Sequence, residues 1–150
     1  MALKVGFVGV GGIAHRHLEY ASKRPDVAMV GYCDVALERA RQCAATYGGN
    51  AYERFVDLYD QEQPDAIVIC TPPFAHGDIE EEAARRGIHF FVEKPVAVNM
   101  ATANRVAQGN FQALVQLALD AVRAVVAPRG GDTATRRAYH LLREAKETGG

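Results

Sequence analysis

Six residues near the amino terminus, Gly9-Val10-Gly11-Gly12-Ile13-Ala14, have the spacing G-x-G-x-x-A directly after an apolar run that ends at Val8. Glycine at position 9 permits a tight strand-to-helix turn, and glycine at 11 lets the backbone approach a diphosphate with no Cβ in the way. Ala14 is small enough for a helix to pack closely on the strand before it. A helix opening near Ile13 would aim its unpaired N–H groups and the positive end of its dipole at that anion. Twenty residues beyond Ala14, Asp34 closes a second apolar run, where its carboxylate can accept both hydroxyl hydrogens of an adenosine ribose. Charge-assisted bonds of this kind contribute about 1.5–3 kcal/mol. The same charge repels a 2′-phosphate and position 35 is Val rather than Arg, so NAD is expected over NADP; Arg39, one helical turn on, leaves NADP admissible. The plainer alternative is that the glycines only make a turn and Asp34 only caps the next helix.

Two further clusters follow apolar runs, and strand ends are where open α/β sheets bind ligands. Thr71-Pro72-Pro73-Phe74-Ala75-His76 follows the run 66–70, its two prolines setting an extended path. Glu93-Lys94-Pro95 follows the run 88–92. Hydride transfer at an alcohol carbon needs a proton moved at the oxygen. A lysine can move it once burial lowers its pKa from about 10.4 toward 7–8. Glu93 would oppose that shift if it faced Lys94, and the alternative is a surface lysine paired with Glu93. A Lys-Pro bond is also one of the few open to the cis form.

The elements that must hold these residues follow from hydrophobic patterning. The runs 5–8, 27–33, 66–70 and 88–92 are apolar without strict alternation, as strands of a parallel sheet covered on both faces are. Between them, 13–24, 35–47, 54–62 and 76–86 read as helices, with a weakly written strand near Ala51-Tyr52. Strand and helix in alternation predict an α/β fold, a doubly wound parallel-sheet Rossmann domain over residues 1–106. Residues 107–150 form an added helical segment, with helices at 111–127 and 133–148 making a hairpin. In 111–127 the polar positions fall in one narrow stripe, so that helix must bury its remaining surface, and a homo-oligomer through it is expected. His17 is expected to pack beneath the glycine turn, and Cys33 and Cys70 to be small buried hydrophobes. Glu80-Glu81-Glu82 with Arg85-Arg86 reads as a solvated helix face with i,i+4 pairing.

Composition narrows the class. The chain has 150 residues, 17 Lys+Arg against 18 Asp+Glu, and a net charge of −1, so nucleic acid and anionic membranes are not expected partners. Charges inside the apolar stretch 111–127 argue against a membrane span. Three scattered cysteines form no disulfide framework and no zinc spacing, no secretory signal is visible, and the expectation is a cytoplasmic protein with no metal.

Taken together, VGFVGVGGIAHRH, CDVALERA, ICTPPFAH and VEKPVAVN occur in an order and spacing that resembles the nucleotide-binding domain of the glucose-fructose oxidoreductase/inositol dehydrogenase (Gfo/Idh/MocA) family. The resemblance covers residues 3 to about 106. It implies NAD(P)-dependent oxidation or reduction of a sugar, polyol or related hydroxyl compound. It assigns the dinucleotide to Gly9, Gly11, Gly12 and Asp34 and the cofactor lining to Thr71, Pro72 and His76; Ile13, Ala14, Arg39, Pro73, Glu93 and Pro95, beside them in the same motifs, complete the expected cofactor-binding set. Lys94 is implied as the acid/base beside the nicotinamide.

The family's subunits continue into a C-terminal α/β domain that supplies most substrate contacts, and 150 residues do not accommodate it. Residues 101–106 joined to 142–150 would make the helix that ends the family's nucleotide domain, so 107–141 reads as an insertion. The expectation is a truncated or engineered derivative, or an unusual paralogue, that binds the dinucleotide with impaired catalysis. The alternative is a scaffold or oligomerisation module on a Rossmann core.

Overall fold

The computed structural model describes residues 2–108. The expected helices at 111–127 and 133–148, and the oligomer contact assigned to the first of them, lie outside these residues. The chain divides into two compact units, one ending at Thr71 and one beginning at Pro72.

In the first unit, strands β1 (Leu3–Val8), β2 (Val27–Cys33), β3 (Asn50–Tyr52) and β4 (Ala66–Ile69) are joined by helices α1 (Ala14–Ser22), α2 (Leu37–Tyr47) and α3 (Phe55–Glu62). The strands lie in the order β3-β2-β1-β4, every pair parallel. β1 is flanked on both sides, which is why its sequence cannot alternate: Leu3, Val5, Phe7 and Val8 are all buried, as is every residue of β4. The first half of β2, Val27 to Val30, is only half-buried, against the continuous burial expected of it. The register of β1 on β2 shifts between Val5 and Gly6, so that Gly6 faces Gly31. Side chains at those two positions would run into Leu58 of α3, and glycine in both lets that helix lie close on the sheet.

The chain moves from β1 to β2 to β3 in one direction and then returns to β4 on the other side of β1. That reversal makes a topological switch point at the carboxyl ends of β1 and β4. The fold is α/β with a parallel sheet of Rossmann type. Helix boundaries fall one or two residues inside the expected ones, since Ile13, Ala36 and Arg54 are caps rather than first turns.

The second unit holds the short 3-10 turn Pro73–Ala75, helix α4 (Asp78–Arg85), strand β5 (His89–Val92) and helix α5 (Met100–Gln108). Asn99 caps α5, its Oδ1 accepting the Thr102 N–H at 2.9 Å.

No helix of the described residues is long and apolar enough to cross a membrane. Cys33, Cys43 and Cys70 are buried and are not joined in disulfides among the described residues. Burial, with the Asp34 charge adding to it, pushes the Cys33 thiol up to about 12. At pH 8 its thiolate fraction is then about one in ten thousand, against roughly a quarter for an ordinary thiol. Native protein is expected to react with a thiol-specific disulfide reagent at pH 8 far more slowly than urea-unfolded protein. Equal rates would show that these strand ends are not buried.

Candidate dinucleotide site at the glycine turn

β1 ends at Val8, and the chain turns through Gly9 at φ 81°, a conformation glycine adopts without strain. The Gly9 N–H donates to the Cys33 carbonyl at 2.8 Å, tying the turn to the end of β2. A Cβ on Gly9 would stand 2.8–2.9 Å from backbone atoms of Cys70 and Thr71, which cannot move aside. Gly9 is therefore required by the fold itself.

Gly11 and Gly12 are different. A Cβ on either would meet nothing within 4 Å, and neither has a positive φ. Nothing in the folded chain asks for glycine there. The open ground in front of them is what a diphosphate lying against backbone would need.

The helix that follows is prepared for an anion. Ala14, fully buried, lets α1 pack on the sheet, and its N–H closes the turn on the Gly11 carbonyl at 3.1 Å. α2, α3 and α4 each carry acidic residues in their first turns, namely Glu38, Asp57 and Asp78 with Glu80 and Glu81. α1 has no acidic residue in its first turn and no side-chain cap. Its positive end is left without the counter-charge that α2 and α3, the other helices of the first unit, carry.

Asp34 is buried at the end of β2. Its Oδ2 accepts the Val10 N–H at 3.1 Å and its Oδ1 accepts the Ala36 N–H at 2.9 Å. The carboxylate thus joins the glycine turn to the residue that caps α2, and its own backbone N–H donates to the Tyr52 carbonyl at 3.2 Å. The structural alternative is correct as far as it goes: Asp34 does organise the start of α2. Each carboxylate oxygen has a second lone pair, however, so holding the turn does not exhaust its capacity to accept ribose hydroxyls. Arg39, exposed, brings Nη1 to 4.0 Å from Oδ1. A cleft of about 510 Å³ runs past Gly11 and Gly12 between α1 and α2, with His15, Arg39 and Cys43 on its walls.

Of the remaining sequence-predicted residues, Thr71 closes the first unit, with its hydroxyl buried and without a hydrogen-bond partner among the described residues. Pro72, Pro73, His76, Glu93, Lys94 and Pro95 belong to the second unit. Lys94 is exposed, so the described residues do not supply the burial its acid/base role calls for. Glu93 Oε2 accepts the backbone N–H of Lys94 at 3.2 Å, and the Lys94–Pro95 peptide is cis. His17 is buried on α1 as expected. Among the described residues no three His, Cys, Asp or Glu side chains gather to hold a metal.

One expectation fails. Glu80 is not part of a solvated face: it is fully buried, with Oε2 accepting the Gly77 N–H at 2.7 Å and Oε1 meeting His76 Nδ1. The helix starts at Asp78, two residues later than expected, which makes Glu80 the reach-back residue of a capping box. The signal was present as a glutamate three residues after Gly77 and four after His76. Glu82 does behave as expected, and Arg85 and Arg86 hold its carboxyl at about 2.

The sequence profile of the Gfo/Idh/MocA oxidoreductases, described as an oxidoreductase family with an NAD-binding Rossmann fold, matches residues 3–120. The chain belongs to this family. The match runs past residue 106, where the resemblance read from motifs ended. Inositol 2-dehydrogenase of Salmonella typhimurium is 32 % identical over 123 residues, covering 78 % of this chain and 37 % of that protein. Glucose-6-phosphate 3-dehydrogenase of Bacillus subtilis is 29 % identical over 101 residues, 67 % of this chain and 28 % of that one. The crystal structure of KijD10, a 3-ketoreductase from Actinomadura kijaniata, in complex with NADP aligns at TM-score 0.67 and 25 % identity, over 76 % of this chain and 37 % of that chain. Myo-inositol 2-dehydrogenase from Lactobacillus plantarum, at 23 % identity, shares the fold with TM-score 0.69 over 73 % of this chain and 33 % of its own. The chain spans about a third of the length of these relatives.

The two kinds of glycine in this Gfo/Idh/MocA turn separate in experiment. Gly9→Ala is expected to lower unfolding stability by roughly 1–3 kcal/mol in urea titrations, from strain and backbone collision. Gly11→Ala is expected to leave stability unchanged or slightly raised, by about 0.4–1 kcal/mol, while weakening NADH binding at least tenfold. A clear loss of stability in Gly11→Ala, or NADH binding as tight as in the wild type, would contradict the assignment.

Proposed function

We propose that residues 1–106 hold the dinucleotide of an NAD(P)-dependent oxidoreductase acting on a sugar, polyol or related hydroxyl compound. The observation that carries this reading is the pair Gly11 and Gly12, where an added Cβ would meet nothing within 4 Å, standing before a helix with no acidic residue in its first turn. A scaffold with a plugged turn would have no use for that space.

In this reading the backbone at Gly11, Gly12 and Ile13 holds the diphosphate, and Asp34 orients the adenosine ribose through its remaining lone pairs. Arg39 stands close enough to that ribose to serve a 2′-phosphate, so NADP is admitted beside NAD. When bound, the nicotinamide exchanges a hydride with the carbinol carbon. The chain's own contribution to the chemistry is Lys94 Nζ, which takes or gives the hydroxyl proton. Thr71, Pro72 and His76 belong to the cofactor lining that the family resemblance implies, and Pro73, Glu93 and Pro95 are proposed beside them.

By themselves these 150 residues are expected to bind the dinucleotide with little turnover. Orientation of substrate supplies many kcal/mol of catalysis, and a lone exposed lysine supplies little of it. Buried cysteines outside any disulfide among the described residues suit a reducing compartment, and we place the protein in the cytoplasm. Association through residues 111–127 is part of the same proposal.

Calorimetric titration with NADH and NADPH tests the reading, followed by a polyol panel including myo-inositol assayed with NAD⁺ for absorbance of the reduced nicotinamide. Saturable heat with both nucleotides, NADH the tighter, and turnover far below the median enzyme rate of about 10 s⁻¹ are expected. Absence of heat with either nucleotide at millimolar concentration would overturn the proposal.

A further inference from the structure

The cleft between α1 and α2 has a charge balance that Asp34 alone does not explain. Its walls carry two side chains able to hold positive charge, His15 on α1 and Arg39 on α2, and among the described residues no Asp or Glu lines it. His15 and Arg16 stand in the first turn of α1, the end at which a helix by itself favours acidic residues. His15 is exposed there and has no hydrogen bond or ion pair among the described residues, which leaves its ring open to a group in the cleft. Asp34, by contrast, is held in place. Both of its oxygens accept backbone N–H groups, from Val10 and Ala36, so the carboxylate cannot swing aside for a second anion without giving them up. Arg39 Nη1 lies 4.0 Å from Asp34 Oδ1, and the two charges offset each other. A phosphate on the adenosine ribose would therefore find no net positive charge in that pair. His15 is the other group on the cleft walls that can supply one.

We propose that His15 and Arg39 form a two-sided clamp for the 2′-phosphate of NADP, and that His15 supplies the positive charge that the Asp34–Arg39 pair lacks. The proposal rests on the dinucleotide reading above and deepens it, and every residue it uses belongs to the first unit. Arg39 offers a planar fork of donors from one wall, and the protonated His15 ring offers an N–H from the other. NADH carries no phosphate at that position. The clamp therefore acts on the choice between the two nucleotides and not on the diphosphate they share.

Titration of the full chain with NADPH and with NADH tests it. His15→Ala is expected to weaken NADPH about fivefold and to leave NADH within about twofold of the wild type. Arg39→Gln is expected to weaken NADPH at least as much. His15→Lys keeps a positive charge on that wall and is expected to bind NADPH as the wild type does. In the wild-type chain, the ring C–H resonances of His15 are expected to move further at saturation with NADPH than with NADH; this arm stands even where a variant fails to fold. His15→Ala that binds NADPH as tightly as the wild type, or that loses both nucleotides by the same factor, overturns the proposal while the dinucleotide reading survives. So do His15 resonances that move alike with the two nucleotides, and a wild-type chain that takes up NADH but not NADPH. A wild-type chain that takes up neither overturns both.

Discussion

The carboxylate of Asp34 is the interaction on which the site depends. By accepting from Val10 on one side and Ala36 on the other, it fixes the glycine turn against the start of α2 from a buried position. An unpaired buried N–H costs about 1–3 kcal/mol, and this one side chain satisfies the buried N–H of Val10 together with the half-buried N–H of Ala36. The same atoms that hold the turn are the ones offered to a ribose. Structure and recognition are therefore not competing explanations of this residue. The turn is shaped by Asp34, so a ligand that engaged this carboxylate would meet a turn already in place.

The glycines and helix ends of the first unit divide along the same line. Gly9 answers to the fold, through its positive φ and the backbone of Cys70 and Thr71 behind it. Gly11 and Gly12 answer to nothing in the chain. Helices α2 and α3 meet their own dipoles with acidic residues, whereas α1 does not. The α1 end, directly after the Gly-rich turn, carries no acidic residue of its own and would favour an anion there.

Much of this was legible beforehand because the signals were local. The glycine spacing, the acidic residue twenty positions on, and apolar runs without alternation each follow from steric or burial rules that operate within a few residues. The half-burial of Val27 to Val30 was not legible, because coverage of a strand depends on helices distant in sequence. Glu80 was misread for a related reason. A run of three glutamates looks solvated by composition, and only the true start of α4 at Asp78 shows which of the three reaches back into the protein. Lys94 was correctly placed after a strand, at β5, but its exposure depends on what surrounds it, which spacing does not express.

The central claim is that the opening turn of this Gfo/Idh/MocA chain cradles a dinucleotide diphosphate with Asp34 on the adenosine ribose. Backbone amide NMR during NADH titration tests it most directly, since it reads each N–H separately. The account predicts that the largest shifts fall on Gly11, Gly12 and Ile13, with smaller ones on Val10 and Ala36, whose N–H groups share the Asp34 carboxylate. Saturable NADH binding that leaves those five resonances in place would contradict it.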